Sequence, residues 1–356
     1  MRILFLAESI NICNGAAKHL LLLSKHLIKR GDEVLILTGL NDAPELNFDV
    51  QIIECENLLH AKRSFWKFLK GIYFIAKIKY NFKPDIVHAH HFYCAQQAKL
   101  ITKKNKFVFT VHGIIPATGY LPHLVGKNII AGTSEVNKYI LSKSIIINNP
   151  NIFRINFATS FERIYTNVKL KNHKAPSFKL RDDIFTIGFI GRINKIKGIH
   201  VIIDSLKKLK SNRKINFIFA GSGPLENVIP KKINKISISI FKNVVEIENI
   251  YKMCDLILIP SLGHEGLPLV LLESGLLKKC VIASNVDGIK DVIVDKFNGL
   301  LISPNNSNKL SNSIKAVILE DKSRIKFGNN LYKTIQKYHN LKIMIDKTEN
   351  LYKSLI

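Results

Sequence analysis

Two doubly wound α/β domains, each built on a parallel sheet, are predicted by three observations. Short apolar runs that read as buried strands recur along the chain, with amphipathic helical patterns between them. The same scheme stops at a basic, poorly periodic stretch and then restarts. The length of 356 residues is enough for two domains, each with a sizeable core.

In the first half, residues 1–7 predict a strand, Asn14-Gly15 a turn, and 16–30 an amphipathic helix ended by Gly31. Strands are expected at 33–38 and 51–54, a helix at 65–79, a strand at 85–88 and a helix at 92–102. Runs 107–111, 128–131 and 144–147 read as further strands, with a helix over 134–141. The first domain is set at 1–155. A basic linker follows over 156–183 and holds Ala175, Pro176 and Ser177.

The second domain spans 184–335. Strands are expected at 185–190, 216–220, 256–259, 281–283 and 300–302, with a helix at 199–210 and another after Gly266 and Pro268. From residue 306 the pattern is helical, and 336–356 is expected to pack back towards the first domain. Ligands of such a fold bind at the carboxyl ends of the strands, here in a cleft between the domains.

Composition excludes several classes. With 47% hydrophobic and 22% charged residues the chain is globular, and no run approaches the length of a spanning helix. Cys13, Cys55, Cys94, Cys254 and Cys280 are scattered, odd in number and without CxxC spacing. That argues against a disulfide framework and a zinc site, and for a reducing compartment. The first residues read as a buried strand rather than a signal peptide, so a cytoplasmic protein is expected.

The net charge of +26 is unevenly spread. Residues 57–127 hold twelve Lys and Arg against one acid, Asp85. Within them, KRSFWKFLKGIYFIAKIKY interleaves aromatic and basic residues as an interfacial helix does. Anionic lipid and nucleic acid are the natural partners of such a span. A helix that packs its apolar stripe on a sheet and turns its lysines to water fits equally well.

Chemistry gathers in the second half. The strand 185–190 ends in Gly191-Arg192, and its loop delivers Lys197-Gly198 before the next helix. Two cations at a strand's carboxyl end suit a diphosphate leaving group, whose charge grows as its bond to a sugar breaks. The following unit ends in AGSGPL, where Gly221 and Gly223 let backbone approach a ligand. In HEGLPLVLLES, Glu265 lies beside a helix start and Glu273 sits among leucines inside the helix. A carboxylate there is costly unless it is paired.

GRINKIKG, AGSGPLE, YKMCDLILIPSLGHEGLPLVLLESG and SNVDGIKDVIVDKFNGLLI, in this order, resemble a retaining glycosyltransferase of family 4 with the GT-B fold. The first half matches more loosely, through NGAAKHLLLLSKHLIKRGDEVLIL, PDIVHAHH, FTVHG and IINNPN. The resemblance implies that Arg192 and Lys197 hold the donor diphosphate, beside Gly191 and Gly221. Glu273 would bind the nucleotide ribose and Glu265 the donor sugar, with N–H groups around Gly266, Leu267, Pro268 and Leu269 meeting sugar and phosphate. His112 would face the reacting centre, and Gly15 and Ala16 the phosphate from the first domain.

The resemblance also implies a nucleotide-sugar donor, a glycan or lipid-linked acceptor, retention of configuration, and no metal or other cofactor. A bacterial surface polysaccharide, lipopolysaccharide or capsule pathway is the expected setting, at the inner face of the membrane, and no nucleic-acid partner is expected.

Some positions depart from the family. Asn14-Gly15 stands where two glycines are usual, and positive φ at Asn14 is expected to preserve the loop. Asp287-Gly288 replaces a Gly-Gly pair, and Asn149-Pro150 an Asn-Gly at the domain junction. His88, His90 and His91 read as structural, and His264 as a cap of its turn. A sugar-nucleotide epimerase of the same fold and a non-enzymatic basic binder are the competing readings.

Overall fold

The computed structural model describes residues 1–11, 14–42, 45–114, 125–162, 164, 183–242, 244, 246–263 and 266–356. It comprises two units, Met1–Val168 with Leu341–Ile356, and Lys169–Asn340. The proposed linker motif Ala175-Pro176-Ser177 lies outside the described residues, as do His264 and Glu265.

Strands β1 (Arg2–Ala7), β2 (Glu33–Thr38), β3 (Gln51–Glu54), β4 (Ile86–Ala89), β5 (Phe107–Val111), β6 (Asn128–Ala131) and β7 (Asn151–Arg154) build the first sheet. Their order is β3-β2-β1-β4-β5-β6-β7, with every pairing parallel. Ile3, Leu4, Phe5 and Leu6 are fully buried, as a strand with helices on both sheet faces requires.

Around this sheet lie α1 (Gly15–Lys29), α2 (Phe65–Phe82), α3 (Phe92–Lys99), α4 (Ser134–Ser142) and α5 (Ser144–Ile147). The last of these corrects the strand expected at 144–147. The place beside β6 goes to β7, where Asn128 faces Asn151, so the three isoleucines have no sheet to join. Asn148 and Asn149 take φ of 62° and 52° and close the turn onto Ile145 and Ser144. The Asn149-Pro150 pair thus leads into β7 within the first unit.

The linker boundary also moves. Ile155, Phe157, Ala158, Thr159 and Ile164 are buried, and the Asn47 N–H donates to Ile164 O at 2.8 Å. Helix α11 (Leu341–Leu355) belongs to this unit as well. Arg30 pairs with Asp346 at 2.5 Å and with Glu349, while the Ala158 N–H points at Met344 Sδ, 3.3 Å away.

The second sheet comprises β8 (Ile184–Ile190), β9 (Lys214–Ala220), β10 (Lys232–Ile233), β11 (Ile236–Phe241), β12 (Leu256–Ile259), β13 (Cys280–Ser284) and β14 (Leu300–Ile302). Its order is β10-β11-β9-β8-β12-β13-β14, and only the β10–β11 pair is antiparallel. Helices α6 (Ile199–Lys208), α7 (Ile247–Met253), α8 (Leu269–Leu276), α9 (Ser307–Leu319) and α10 (Asp321–Tyr338) cover it.

Close helix packing depends on two glycines. A Cβ at Gly275 would stand 2.4 Å from Ile335 Cγ1, and one at Gly328 would stand 2.0 Å from Lys278 O. Among the described residues no helix is long and apolar enough to cross a membrane.

Candidate functional site

In the second unit the chain runs from β8 outward through β9, then returns to place β12 on the other flank of β8. The loops after β8 and β12 therefore leave the sheet in opposite directions and open a crevice at its carboxyl edge. Gly191, Arg192 and Lys197 stand on the first of these loops and 266–268 on the second, with Leu269 opening α8.

Hydrogen bonds tie these loops together. Ile196 O accepts from the Leu262 N–H at 2.8 Å, and Asn194 Oδ1 accepts from the Lys197 N–H at 3.0 Å. Gly198 has φ 74°, and a Cβ there would lie 2.1 Å from Pro260 O. The corner beside Lys197 therefore rests directly on the turn after β12. Arg192 is exposed and forms no ion pair among the described residues; Lys197 is half-buried.

The glycine-rich loop after β9 closes against the same place. A Cβ at Gly221 would meet Gly191 O at 2.0 Å, so this position needs glycine both for space and for its φ of 148°. The Ile193 N–H donates to Ser222 O at 2.8 Å. Glu226 accepts from the Gly223 N–H at 2.7 Å, and the adjoining Lys242 holds its carboxyl below the usual range.

Pro268 forms the N-cap of α8 with φ −67°, one residue before the first turn where the sequence places it, and Leu267 is buried beside it. One turn into α8, Glu273 is 6% exposed and accepts a 2.6 Å hydrogen bond from the Tyr251 hydroxyl. Burial, and then the carboxylate, push the Tyr251 phenol well above its usual pKa. The sequence signals a need for a partner at Glu273. Tyr251 supplies one from α7, a helix the sequence reading missed.

Gly15, Ala16 and His112 belong to the first unit, also at the carboxyl edge of its sheet. Asn14 corrects an expectation: its φ is −100°, and its side chain caps α1 by accepting from the Ala16 N–H at 3.0 Å. The capping geometry is extended, so positive φ is not needed.

His112 follows β5 and joins His19, His88 and His90 in a cluster invisible in the sequence. His90 Nδ1 lies 3.1 Å from His112 Nε2, with the rings stacked at 5.3 Å, and Phe157 packs on both His19 and His112. His88 meets the Tyr352 hydroxyl at 2.5 Å and Thr110 Oγ1 at 2.7 Å. Burial lowers His19 to about 4, and burial with neighbouring imidazoles holds His88, His90 and His112 well below the usual value. The cluster is uncharged at neutral pH.

His91 is likewise lowered to about 4 because burial outweighs the Glu8 carboxylate beside it. Its Nδ1 accepts from the Tyr93 N–H, which leaves Nε2–H to donate to Glu8 at 3.1 Å. Among the described residues no group of His, Cys, Asp and Glu has the arrangement of a metal site.

Both halves of the chain match known families. Residues 171–334 match the family model described as glycosyl transferases group 1, and 13–140 match that of glycosyltransferase family 4. The chain is a glycosyltransferase of the GT-B superfamily. It is 25% identical to the capsular polysaccharide biosynthesis glycosyltransferase CapM of Staphylococcus aureus over 73% of both chains.

Two solved structures share the GT-B fold. A glycosyltransferase from Rickettsia africae superposes with a TM-score of 0.75 at 21% identity, covering 99% of this chain and 98% of that one. Anabaena HepE in complex with UDP gives 0.74 at 18% identity, covering 99% and 100%. These matches favour neither an epimerase nor a non-enzymatic binder. In this glycosyltransferase the group 1 match contains every described site residue of the second unit, and the family 4 match contains Gly15, Ala16 and His112.

Proposed function

We propose that the protein transfers a hexose-type unit from a nucleoside diphosphate sugar to an acceptor hydroxyl, with retention of anomeric configuration. One observation carries this reading: the loop bearing Arg192 and Lys197 is hydrogen-bonded through Ile196 to the turn after β12, the segment that leads on to α8 and its buried Glu273. Two cations and a buried carboxylate on neighbouring segments of one sheet edge suit a ligand that is anionic at one end and hydroxylated at the other.

In this reading Arg192 and Lys197 take the diphosphate and Glu273 the ribose hydroxyls, while Tyr251 holds the carboxylate in place. Backbone N–H groups at Gly266, Leu267 and Leu269 meet the phosphate and sugar, Gly191 and Gly221 let the backbone come close without side chains, and Glu265 binds the sugar hydroxyls. His112 and the Gly15-Ala16 turn are assigned to the reacting sugar and phosphate on the resemblance alone.

The acceptor oxygen bonds to the anomeric carbon as the carbon–phosphate oxygen bond breaks on the same face. The departing phosphate oxygen takes the acceptor's proton, and the nucleoside diphosphate leaves. The protein contributes position and charge stabilisation, with protein cations meeting the developing charge. We infer a setting in bacterial surface polysaccharide synthesis, because a capsular glycosyltransferase is among its relatives. The acceptor is a glycan or lipid-linked glycan, and the enzyme works from the cytoplasm at an anionic membrane surface.

Thermal shift across nucleoside diphosphates, followed by NMR of the product made from the matching sugar nucleotide, tests the reading. A preferred nucleotide and an unchanged anomeric configuration are expected. No stabilisation by any nucleoside diphosphate would refute it.

A further inference from the structure

Helix α2 carries a second apolar face that the first unit does not use. Its inner face is spent in the ordinary way: Gly71, Ile75 and Phe82 are buried, and Gln97 donates to Phe68 O at 3.3 Å. On the other side Phe65, Trp66, Tyr73 and Tyr80 are 70%, 71%, 71% and 80% exposed, with Leu69 at 40%. At 3.6 residues per turn these five side chains fall within an arc of roughly 100°.

Trp66, Tyr73 and Tyr80 repeat every seven residues, and Arg63, Lys70 and Lys77 repeat at the same spacing beside them. The three cations are exposed. So the sequence's alternative of one packed stripe with lysines in water accounts for only half of this helix.

We propose that this outer face of α2 docks the protein on an anionic lipid surface. The helix lies in the headgroup plane, with Phe65, Trp66 and Leu69 reaching the acyl boundary and Arg63, Lys70 and Lys77 meeting lipid phosphates. Charge favours this occupant, since residues 57–127 hold twelve Lys and Arg and one acid. A second copy of the chain would set basic row against basic row, which repels. A nucleic acid would put phosphates over the centre of the face, where the residues are aromatic and aliphatic while the cations stand at its border. The proposal rests on the membrane setting of the proposed function and names the face that would serve it, while its evidence is this surface alone and its test reads no glycosyl transfer.

Trp66 is the only tryptophan in the chain, so its fluorescence reports directly on this face. The full-length protein is mixed with vesicles of phosphatidylcholine alone, or of phosphatidylcholine with phosphatidylglycerol. With the anionic vesicles, emission moves to shorter wavelength and acrylamide quenching falls, and added salt weakens both changes. Lys70→Glu with Lys77→Glu lowers vesicle affinity at least about tenfold, while melting temperature and nucleotide affinity stay unchanged. No shift with anionic vesicles at low salt would overturn the proposal. So would a shift produced without lipid by raising protein concentration, or one produced by RNA and not by vesicles.

Discussion

At the carboxyl edge of the first sheet, four imidazoles crowd together with Phe157, all held neutral by burial and, except for His19, by their neighbouring imidazoles as well. At the same edge of the second sheet, Arg192 stands in solvent, Lys197 is half-buried, and one carboxylate, Glu273, is buried on a tyrosine hydroxyl. The windings match, since β1 and β4 flank the switch point of one sheet as β8 and β12 flank that of the other. A shared topology fixes where ligands can approach; side-chain burial decides which charge meets them. An edge that keeps its cations at the surface is suited to a polyanion, and a cluster of neutral imidazoles is suited to sugar hydroxyls.

The sharpest way to break this contrast is acid. Between the ordinary histidine value of 6.5 and the value of about 4 at His19 and His91, the unfolded chain takes up protons that the folded first unit refuses. The stability these groups contribute is complete above 6.5 and is lost as pH falls towards and through 4. The loss reaches about 1.4 kcal/mol per pH unit for each such histidine. Peptide-resolved hydrogen exchange, corrected for intrinsic rate, is expected to show the first unit losing protection before the second. Simultaneous loss in both would remove the contrast.

Next in size is Lys197→Ala, expected to slow donor turnover about 100-fold or more with the melting temperature unchanged. Release of nucleoside diphosphate measures it, and full activity would end the diphosphate assignment.

Gly221→Ala tests how tightly the second edge is built. Its Cβ would meet Gly191 O at 2.0 Å in a conformation of φ 148°. A stability loss of about 1–3 kcal/mol by urea unfolding is expected, with weaker nucleotide binding. A neutral result would mean that the two loops are free to part.

The smallest effect is expected from Tyr251→Phe. It removes the hydroxyl that donates to Glu273, at a cost of about 1–2 kcal/mol in unfolding free energy. Nucleotide affinity should fall as well, because the carboxylate loses its anchor.

The strands were legible where burial on both sheet faces writes itself as an unbroken apolar run, as in β1, β8 and β12. Run 144–147 looks alike but forms α5, since only β7 finds a place beside β6. β11 was missed although its Ile-Ser alternation, ISISIF, carries the two-residue period of a strand beside β9. Its partner β10 is two residues long, joined by a turn in which Asn234 has φ 52°. In the second edge, consecutive motifs gave away the loops because each loop follows directly from its strand. The histidine cluster and the Tyr251–Glu273 bond could not be read this way. They join residues from separate segments, and only the sheet order brings those together.

The central claim is that the second edge grips a nucleoside diphosphate with Arg192 and Lys197 at its phosphates and buried Glu273 at its ribose. Calorimetric titration of the preferred nucleotide into the wild-type, Lys197→Ala and Glu273→Gln proteins tests it most directly. Both variants are expected to bind at least about tenfold more weakly, with Glu273→Gln losing its preference for ribose over deoxyribose nucleotide. Wild-type affinity in both, with that preference intact, would contradict the account.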